Sequence, residues 1–80
     1  LSKTDIDVYP NPTTGVVNID NIQGYNKATL KVLDMTGKVV HNEQLGDVNN
    51  TIHLDGMAEG IYMLRLDLDG KVVNGKLIVK

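Results

Sequence analysis

Apolar and polar residues alternate with a period of two along most of this 80-residue chain. The alternation is clearest at Tyr62, Leu64, Leu66 and Leu68, which occupy every second position. Because successive side chains of a β-strand point to opposite faces, this pattern predicts strands with one buried and one exposed face. Helical periodicity is nearly absent, and only residues 54–58 are compatible with a single helical turn.

Turn-forming residues separate the alternating segments at intervals of roughly 8–12 residues. Asp69 and Gly70 predict a two-residue hairpin of type I′, and Gly37 suits a second hairpin that needs a positive φ. Pro10 and Pro12 cannot donate ladder hydrogen bonds, so we expect the pairing of the first strand to stop there. About seven strands at this spacing are typical of a small, all-β, antiparallel β-sandwich.

Length, charge and cysteine content narrow the classes of function. A chain of 80 residues suffices for one domain with a modest core. Its formal net charge of -2, without a basic stripe, argues against nucleic acid and against an anionic membrane surface. It has no cysteine, which excludes disulfides and thiolate metal sites. Since the chain begins with Leu1, we interpret residues 1–4 as the end of an upstream linker and residues 5–80 as the domain.

Side chains suited to catalysis or metal binding are few. His41 and His53 are the only histidines; we expect both at outward strand positions, with no third ligand at a suitable spacing. Ser2 is the only serine, and the chain contains neither a nucleophile elbow nor a glycine-rich phosphate loop. We therefore predict no enzymatic activity, no cofactor, no metal and no small-molecule substrate.

Two other groups of side chains were considered as binding sites. Asp67 and Asp69 match part of a calcium loop, but the distal glutamate is missing, so we interpret them as hairpin residues. The three aromatic residues are tyrosines. Tyr62 is expected in the core and Tyr9 at the end of the first strand, which leaves at most Tyr25 free as a stacking platform. One such ring disfavours carbohydrate and single-stranded nucleic acid as ligands.

Four segments, in this order, resemble one protein family: Val8-Tyr9-Pro10-Asn11-Pro12-Thr13-Thr14-Gly15, residues 30–40, Gly60-Ile61-Tyr62-Met63-Leu64, and Gly75-Lys76-Leu77-Ile78-Val79-Lys80. Through them nearly the whole chain is similar to the type A C-terminal sorting domain of the type IX secretion system of Bacteroidota. The resemblance implies an immunoglobulin-like sandwich of seven strands at the C-terminus of a larger exported protein.

The resemblance also implies a set of partners and a route. The outer-membrane translocon and its shuttle proteins would recognise the domain, and a sortase-like surface peptidase would remove it from a covalently continuous upstream cargo domain. The protein would pass through the periplasm and end at the cell surface or outside the cell. A structural or adhesive β-sandwich spacer beside a catalytic domain is the alternative.

Eight residues of these segments, and Asn74 directly before the last one, are candidates for partner recognition, and each has a structural interpretation beside the functional one. The Pro-Asn-Pro loop of residues 10–15 forms either a rigid turn or a preformed surface that a partner binds. Its prolines also lower the conformational entropy of the unfolded chain. Gly60 and Tyr62 suit a tight turn followed by a tyrosine that packs in the core. The last strand carries charges that either protect an edge from aggregation or form the export signal, and we expect it to be the main recognition surface. The candidates are Pro10, Asn11, Pro12 and Gly15; Gly60 and Tyr62; and Asn74, Lys76 and Lys80.

Overall fold

The structure, a computed structural model, describes residues 6–10, 12–54 and 56–80. These residues form seven β-strands, as the turn spacing predicts: β1 (Asp7–Tyr9), β2 (Val16–Asp20), β3 (Ala28–Leu33), β4 (Val39–Leu45), β5 (Asn50–His53), β6 (Gly60–Leu68) and β7 (Lys71–Val79). Across the same residues, no helix has the length and apolar character that crossing a membrane requires.

The strands form two sheets. One has three strands in the order β1-β2-β5, and the other has four in the order β4-β3-β6-β7. Every pair of neighbouring strands is antiparallel. Strands β1 and β5 are therefore the edges of the three-stranded sheet, and β4 and β7 are the edges of the four-stranded sheet.

The core lies between the inner faces of the two sheets, so the predicted all-β sandwich is confirmed. Burial along β6 alternates strictly, with its even-numbered residues inside and its odd-numbered residues outside. Complete burial of an aliphatic side chain stabilises the fold by roughly 1.5–3 kcal/mol. The core residues are Val17, Ile19, Ile22, Ala28, Leu30, Val32, Leu45, Ile52, Leu54, Tyr62, Leu64, Leu66, Leu68, Leu77 and Val79.

The β6–β7 hairpin has the predicted type I′ turn, because Asp69 and Gly70 both have positive φ angles, of 54° and 89°. The Asp69 carboxylate accepts hydrogen bonds from the backbone amides of Asn26 (3.0 Å) and Lys27 (2.8 Å). Asp67 Oδ1 accepts one from the Gly70 amide at 3.0 Å. Both carboxylates therefore bind backbone donors of the turns, as the hairpin interpretation requires.

Two expectations about single side chains are wrong. His41 pairs with Val32, whose side chain is fully buried, so His41 lies on the inner face of the edge strand and not the outer one. The register shift between Val32 and Leu33 leaves Val39 exposed opposite Leu33, whereas His41 alternates regularly with the buried Leu45. Tyr25 is half-buried and packs against the core, so it is not a free stacking platform.

The short connection before β6 also differs from its prediction. The Met57 amide donates to the Leu54 carbonyl at 3.2 Å. That bond closes a single turn, and the described residues of this connection form no helix.

Candidate functional site: the sheet junction

The loop after β1 crosses from one sheet to the other. Tyr9 makes the last pair of β1, with Asn18, and the Tyr9–Pro10 peptide bond is cis. Thr13 then forms a parallel bridge with Val79 of the four-stranded sheet. The Thr13 amide donates to the Ile78 carbonyl and the Lys80 amide donates to the Thr13 carbonyl, both at 2.8 Å. The loop thus ends β1, as predicted, and also closes the C-terminal end of the β7 edge.

The Thr13 side chain holds the rest of the loop in place. Thr13 is only 1% exposed, and its hydroxyl donates to the Val16 carbonyl at 2.6 Å and accepts from the Gly15 amide at 3.1 Å. Gly15 has a φ of 137°, and its carbonyl accepts the Leu54 amide at 2.7 Å. The loop is therefore bonded to β2, to the end of β5 and to the end of β7.

Gly60 lies beside this contact, because it pairs with Val79 across the β6–β7 ladder. Its φ is 157°, and a Cβ there would lie 3.8 Å from the Tyr62 ring. Thr13, Gly15, Gly60, Val79 and Lys80 are named here the sheet junction. Three segments that are distant in the sequence thus meet at one end of the sandwich.

Tyr62 fastens the segment that leads into the junction. Its ring is in the core, as predicted, and its hydroxyl donates to the Ala58 carbonyl at 2.6 Å. Buried tyrosines commonly find a hydrogen-bond partner of this kind. Any part that Tyr62 plays in recognition is therefore indirect, through the position of the Ala58 segment.

The junction gathers only some of the predicted recognition residues. Pro10 and Pro12 are exposed beside it, and Asn11 lies outside the described residues. Asn74 and Lys76 are exposed on β7, but Asn74 precedes Lys80 by six residues, which is roughly 20 Å along a strand. The candidates on β7 therefore belong to two separate regions of that strand.

Sequence reasoning overlooked Thr13. It is the one polar side chain that is buried among the residues the structure describes. Its hydroxyl accepts from the amide two residues later, which is the ST-turn pattern. A threonine two positions before a glycine, directly after a proline, is the signal that points to this role.

The exposed face of β1 carries an ionisable pair. The Tyr9 hydroxyl donates a hydrogen bond to Asp20 Oδ2. That bond is the main reason why the pKa of Tyr9 is raised, and the charges of Asp20 and Asp7 raise it further. In the described part of the chain, no three His, Cys, Asp or Glu side chains are placed to hold a metal ion.

Two clefts lie along the seams, which are the two lines where edge strands of the opposite sheets face each other. The larger, of about 400 Å³, lies between β4 and β5 and includes His41 and Met57 in its lining. The imidazole of His41 is engaged there, with Nε2 3.1 Å from Glu43 Oε1. The smaller cleft, of about 210 Å³, lies between β1 and β7 and has a mostly apolar lining.

Comparison with known protein families identifies the family to which the chain belongs. The model of the secretion system C-terminal sorting domain matches residues 7–80, which include every residue of the sheet junction. The chain belongs to this family. It is a sorting domain, and the role of its family is the secretion of an attached protein. No curated protein sequence matches the chain.

Solved structures give the sorting domain its fold class. It is similar to an immunoglobulin-like β-sandwich protein of the DUF3244 family from Bacteroides vulgatus, with a TM-score of 0.80 and 17% identity over 99% of this chain and 92% of the other. It is similar to part of PorZ from Porphyromonas gingivalis, with a TM-score of 0.76 and 21% identity over 95% of this chain but 11% of PorZ. It is also similar to CopC from Methylosinus trichosporium OB3b, with a TM-score of 0.60 and 20% identity over 90% of this chain and 88% of CopC. These likenesses establish the immunoglobulin-like sandwich.

Proposed function

We propose that this chain is a type A sorting domain of the type IX secretion system of a member of the Bacteroidota, and that it directs an attached upstream cargo through the outer-membrane translocon. The observation that carries the proposal is the family match over residues 7–80. The likeness to PorZ supports it, because PorZ is described as an essential surface component of the type IX system of Porphyromonas gingivalis.

The mechanism is recognition and not chemistry. Strand β7 lies at a sheet edge and exposes Asn74 and Lys76, and the exposed Lys80 follows directly after it. Beside its end, the loop exposes Pro10 and Pro12. The translocon and its shuttle proteins bind this side of the sandwich in the periplasm, and the domain itself performs no catalysis.

Later steps act on the cargo. A sortase-like peptidase cuts on the N-terminal side of the sandwich, at the linker assigned to residues 1–4, and the cargo is then anchored at the cell surface or released. Contacts through β7 must accordingly be reversible, since the domain has to be handed from the translocon to the peptidase.

The test is a fusion of this domain to an exported reporter, expressed in a host that has the type IX machinery. The reporter is expected at the cell surface. Retention of the unaltered fusion in the periplasm would show that the domain is not a type IX signal. If the domain acts instead as a spacer or adhesive module, deleting the domain leaves export of the reporter intact. The amount of reporter at the cell surface measures this in the same assay.

Variants of single residues probe recognition better than truncation does. Deleting residues 75–80 removes Leu77 and Val79, which are 0% and 4% exposed, and so removes core as well as signal. Lys80→Glu reverses an exposed charge and leaves the core intact. We expect it to reduce the surface reporter, whereas Lys38→Glu, the same change in the β3–β4 turn, should not.

A further inference from the structure

The edge of β7 has a closed end and an open stretch. Its even-numbered residues direct both backbone groups away from β6, because Ile78 and Lys80 use such groups to bind Thr13 and the β6–β7 register is continuous. The outward groups of Val72 and Asn74 therefore face the open seam. This stretch offers the donors and acceptors that an added strand requires.

A vacant notch lies directly under that open stretch. Ile6 and Val8 of the β1 region form one side of it, and Val73 and Gly75 of β7 form the other. Gly75 shares the inner face with buried Leu64, its partner in the ladder. Nevertheless, a Cβ built on Gly75 would meet no atom of residues 6–10, 12–54 and 56–80 within 4 Å. The inner face of β7 thus lacks a side chain at this position, and the space is open to the seam.

We propose that the open stretch and the notch together form the docking site for an extended segment of the secretion machinery, which adds as a strand beside β7 and inserts one aliphatic side chain next to Gly75. The proposal rests on the proposed sorting function and names the contact by which the partner binds. Backbone bonds to Val72 and Asn74 would supply affinity, and the notch would select the side chain.

Three features point to a protein strand as the occupant. The volume of about 210 Å³ is below the range of roughly 300–1,000 Å³ that is usual for small-molecule pockets. The β7 edge already accepts one extended residue, Thr13, through the same kind of outward group. The outer face beside Asn74 has more basic than acidic side chains, since Arg65 pairs with both Asn74 and Lys31, and Asp67 pairs with Val72. That charge favours a partner strand with acidic residues on its outer side.

A second copy of this chain fits the site less well. Pairing two β7 edges would bring Lys71 and Lys76 of both copies to one short interface. Lysines on an edge strand oppose pairing between identical edges.

The test uses the reporter fusion with two pairs of variants. Asn74→Pro removes the outward amide, whereas Asn74→Ala keeps it, and proline is tolerated at an edge where its nitrogen faces away from the sheet. Gly75→Val fills the notch, whereas Gly46→Val adds the same side chain at another glycine that has open space and no positive φ. We expect at least a tenfold loss of surface reporter for Asn74→Pro and Gly75→Val, a smaller loss for Asn74→Ala, which removes only the side chain, and near-normal export for Gly46→Val.

Each result has a definite meaning when thermal unfolding shows that the variants are folded. Normal export of Gly75→Val and Asn74→Pro would overturn strand addition but leave the sorting function standing, whereas failure of the unaltered fusion would overturn the sorting function itself. A loss of export in Asn74→Ala as large as that in Asn74→Pro would show that the side chain is recognised and not the backbone, and would overturn strand addition. If Asn74→Pro does not fold, the two glycine variants decide.

Analytical ultracentrifugation of the purified fusion tests whether a second copy of this chain occupies the docking site instead. A monomer is expected. A dimer that Gly75→Val dissociates would identify a second copy as the occupant and would overturn the proposal.

Discussion

Thr13 places a hydroxyl in the interior of the sheet junction, where water does not reach it. The hydroxyl satisfies one backbone donor and one backbone acceptor, those of Gly15 and Val16. An unsatisfied buried polar group costs roughly 1–3 kcal/mol. A single side chain therefore determines whether the loop can cross between the sheets without losing hydrogen bonds.

We predict that Thr13→Val lowers the free energy of unfolding by about 1–3 kcal/mol, because valine keeps the shape and removes both hydrogen bonds. Urea denaturation followed by circular dichroism measures the change. Thr14→Val is the matched control, since Thr14 is exposed, and it should change the stability by less than about 0.5 kcal/mol. Equal effects of the two substitutions would contradict the role given to Thr13.

Asp34 produces a pH dependence at the β3–β4 turn. The Thr36 hydroxyl, which donates to Oδ1 at 2.6 Å, is the main cause of its lowered pKa, and the Lys38 amide at 3.0 Å adds to it. A folded-state pKa below the usual 3.8 stabilises the fold above that pH, and this contribution is lost as the pH falls through the lower folded-state value.

We therefore predict that Asp34→Asn lowers the urea midpoint at pH 6, and that its effect becomes smaller as the pH falls through the folded-state pKa of Asp34, because the carboxyl group is then protonated. Denaturation at a series of pH values gives the difference. A difference that does not change with pH would show that the carboxylate charge contributes nothing to the turn.

At the scale of the strand, β7 combines two environments. Its C-terminal part packs Leu77 and Val79 into the core and is closed by the loop. Its first part is exposed and begins at a turn whose backbone only certain residues adopt without strain. Recognition residues and stability residues therefore alternate along one element, and a deletion cannot separate them.

We predict that Gly70→Ala destabilises the hairpin by about 1–2 kcal/mol, because a Cβ is unfavourable in the left-handed region. Gly46→Ala is the control. A Cβ at either position meets nothing within 4 Å, but only Gly70 has a positive φ, of 89°. The control should be neutral or slightly stabilising. Thermal unfolding of the two variants decides, and a neutral Gly70→Ala would show that the turn relaxes.

At the scale of the whole molecule, one thin core joins two sheets. Domains of this size bury only about 60% of the surface that the unfolded chain exposes, and their total stability is about 5–15 kcal/mol. Each fully buried side chain therefore provides a large share of the total. Export and folding are also coupled, since a partner that binds an edge strand requires the sheet to be formed.

We predict that Leu77→Ala lowers the stability by about 2–5 kcal/mol, because the side chain is fully buried between the sheets. Leu33→Ala makes the same change at a half-buried position, and we expect it to cost about 1 kcal/mol. Chemical denaturation measures both. Similar losses would mean that the core is less tightly packed than the structure indicates.

Alternation and turn residues were sufficient for most of the strands. They gave seven strands, the buried positions of β6 and the type of the Asp69–Gly70 turn, since these depend on neighbours in the sequence. The inner position of His41 was missed, because Val39 and Val40 at the start of β4 are exposed, and only the pairing with β3 shows that Leu45 and every second residue before it face inward. The contact of Thr13 with β7 was missed for the same kind of reason, since no local pattern specifies a bridge to a residue 66 positions away.

The sequence by itself determined the class of this protein. Period-two alternation requires sheets with one buried face, and the order of the motifs identified the secretion sorting family. Only the tertiary structure decided which strands are edges, that the loop closes one end of β7, and that Gly75 leaves a notch beside the open stretch. The reason is physical. Side-chain direction within a strand is local, whereas the sheet that a strand joins depends on contacts between distant segments.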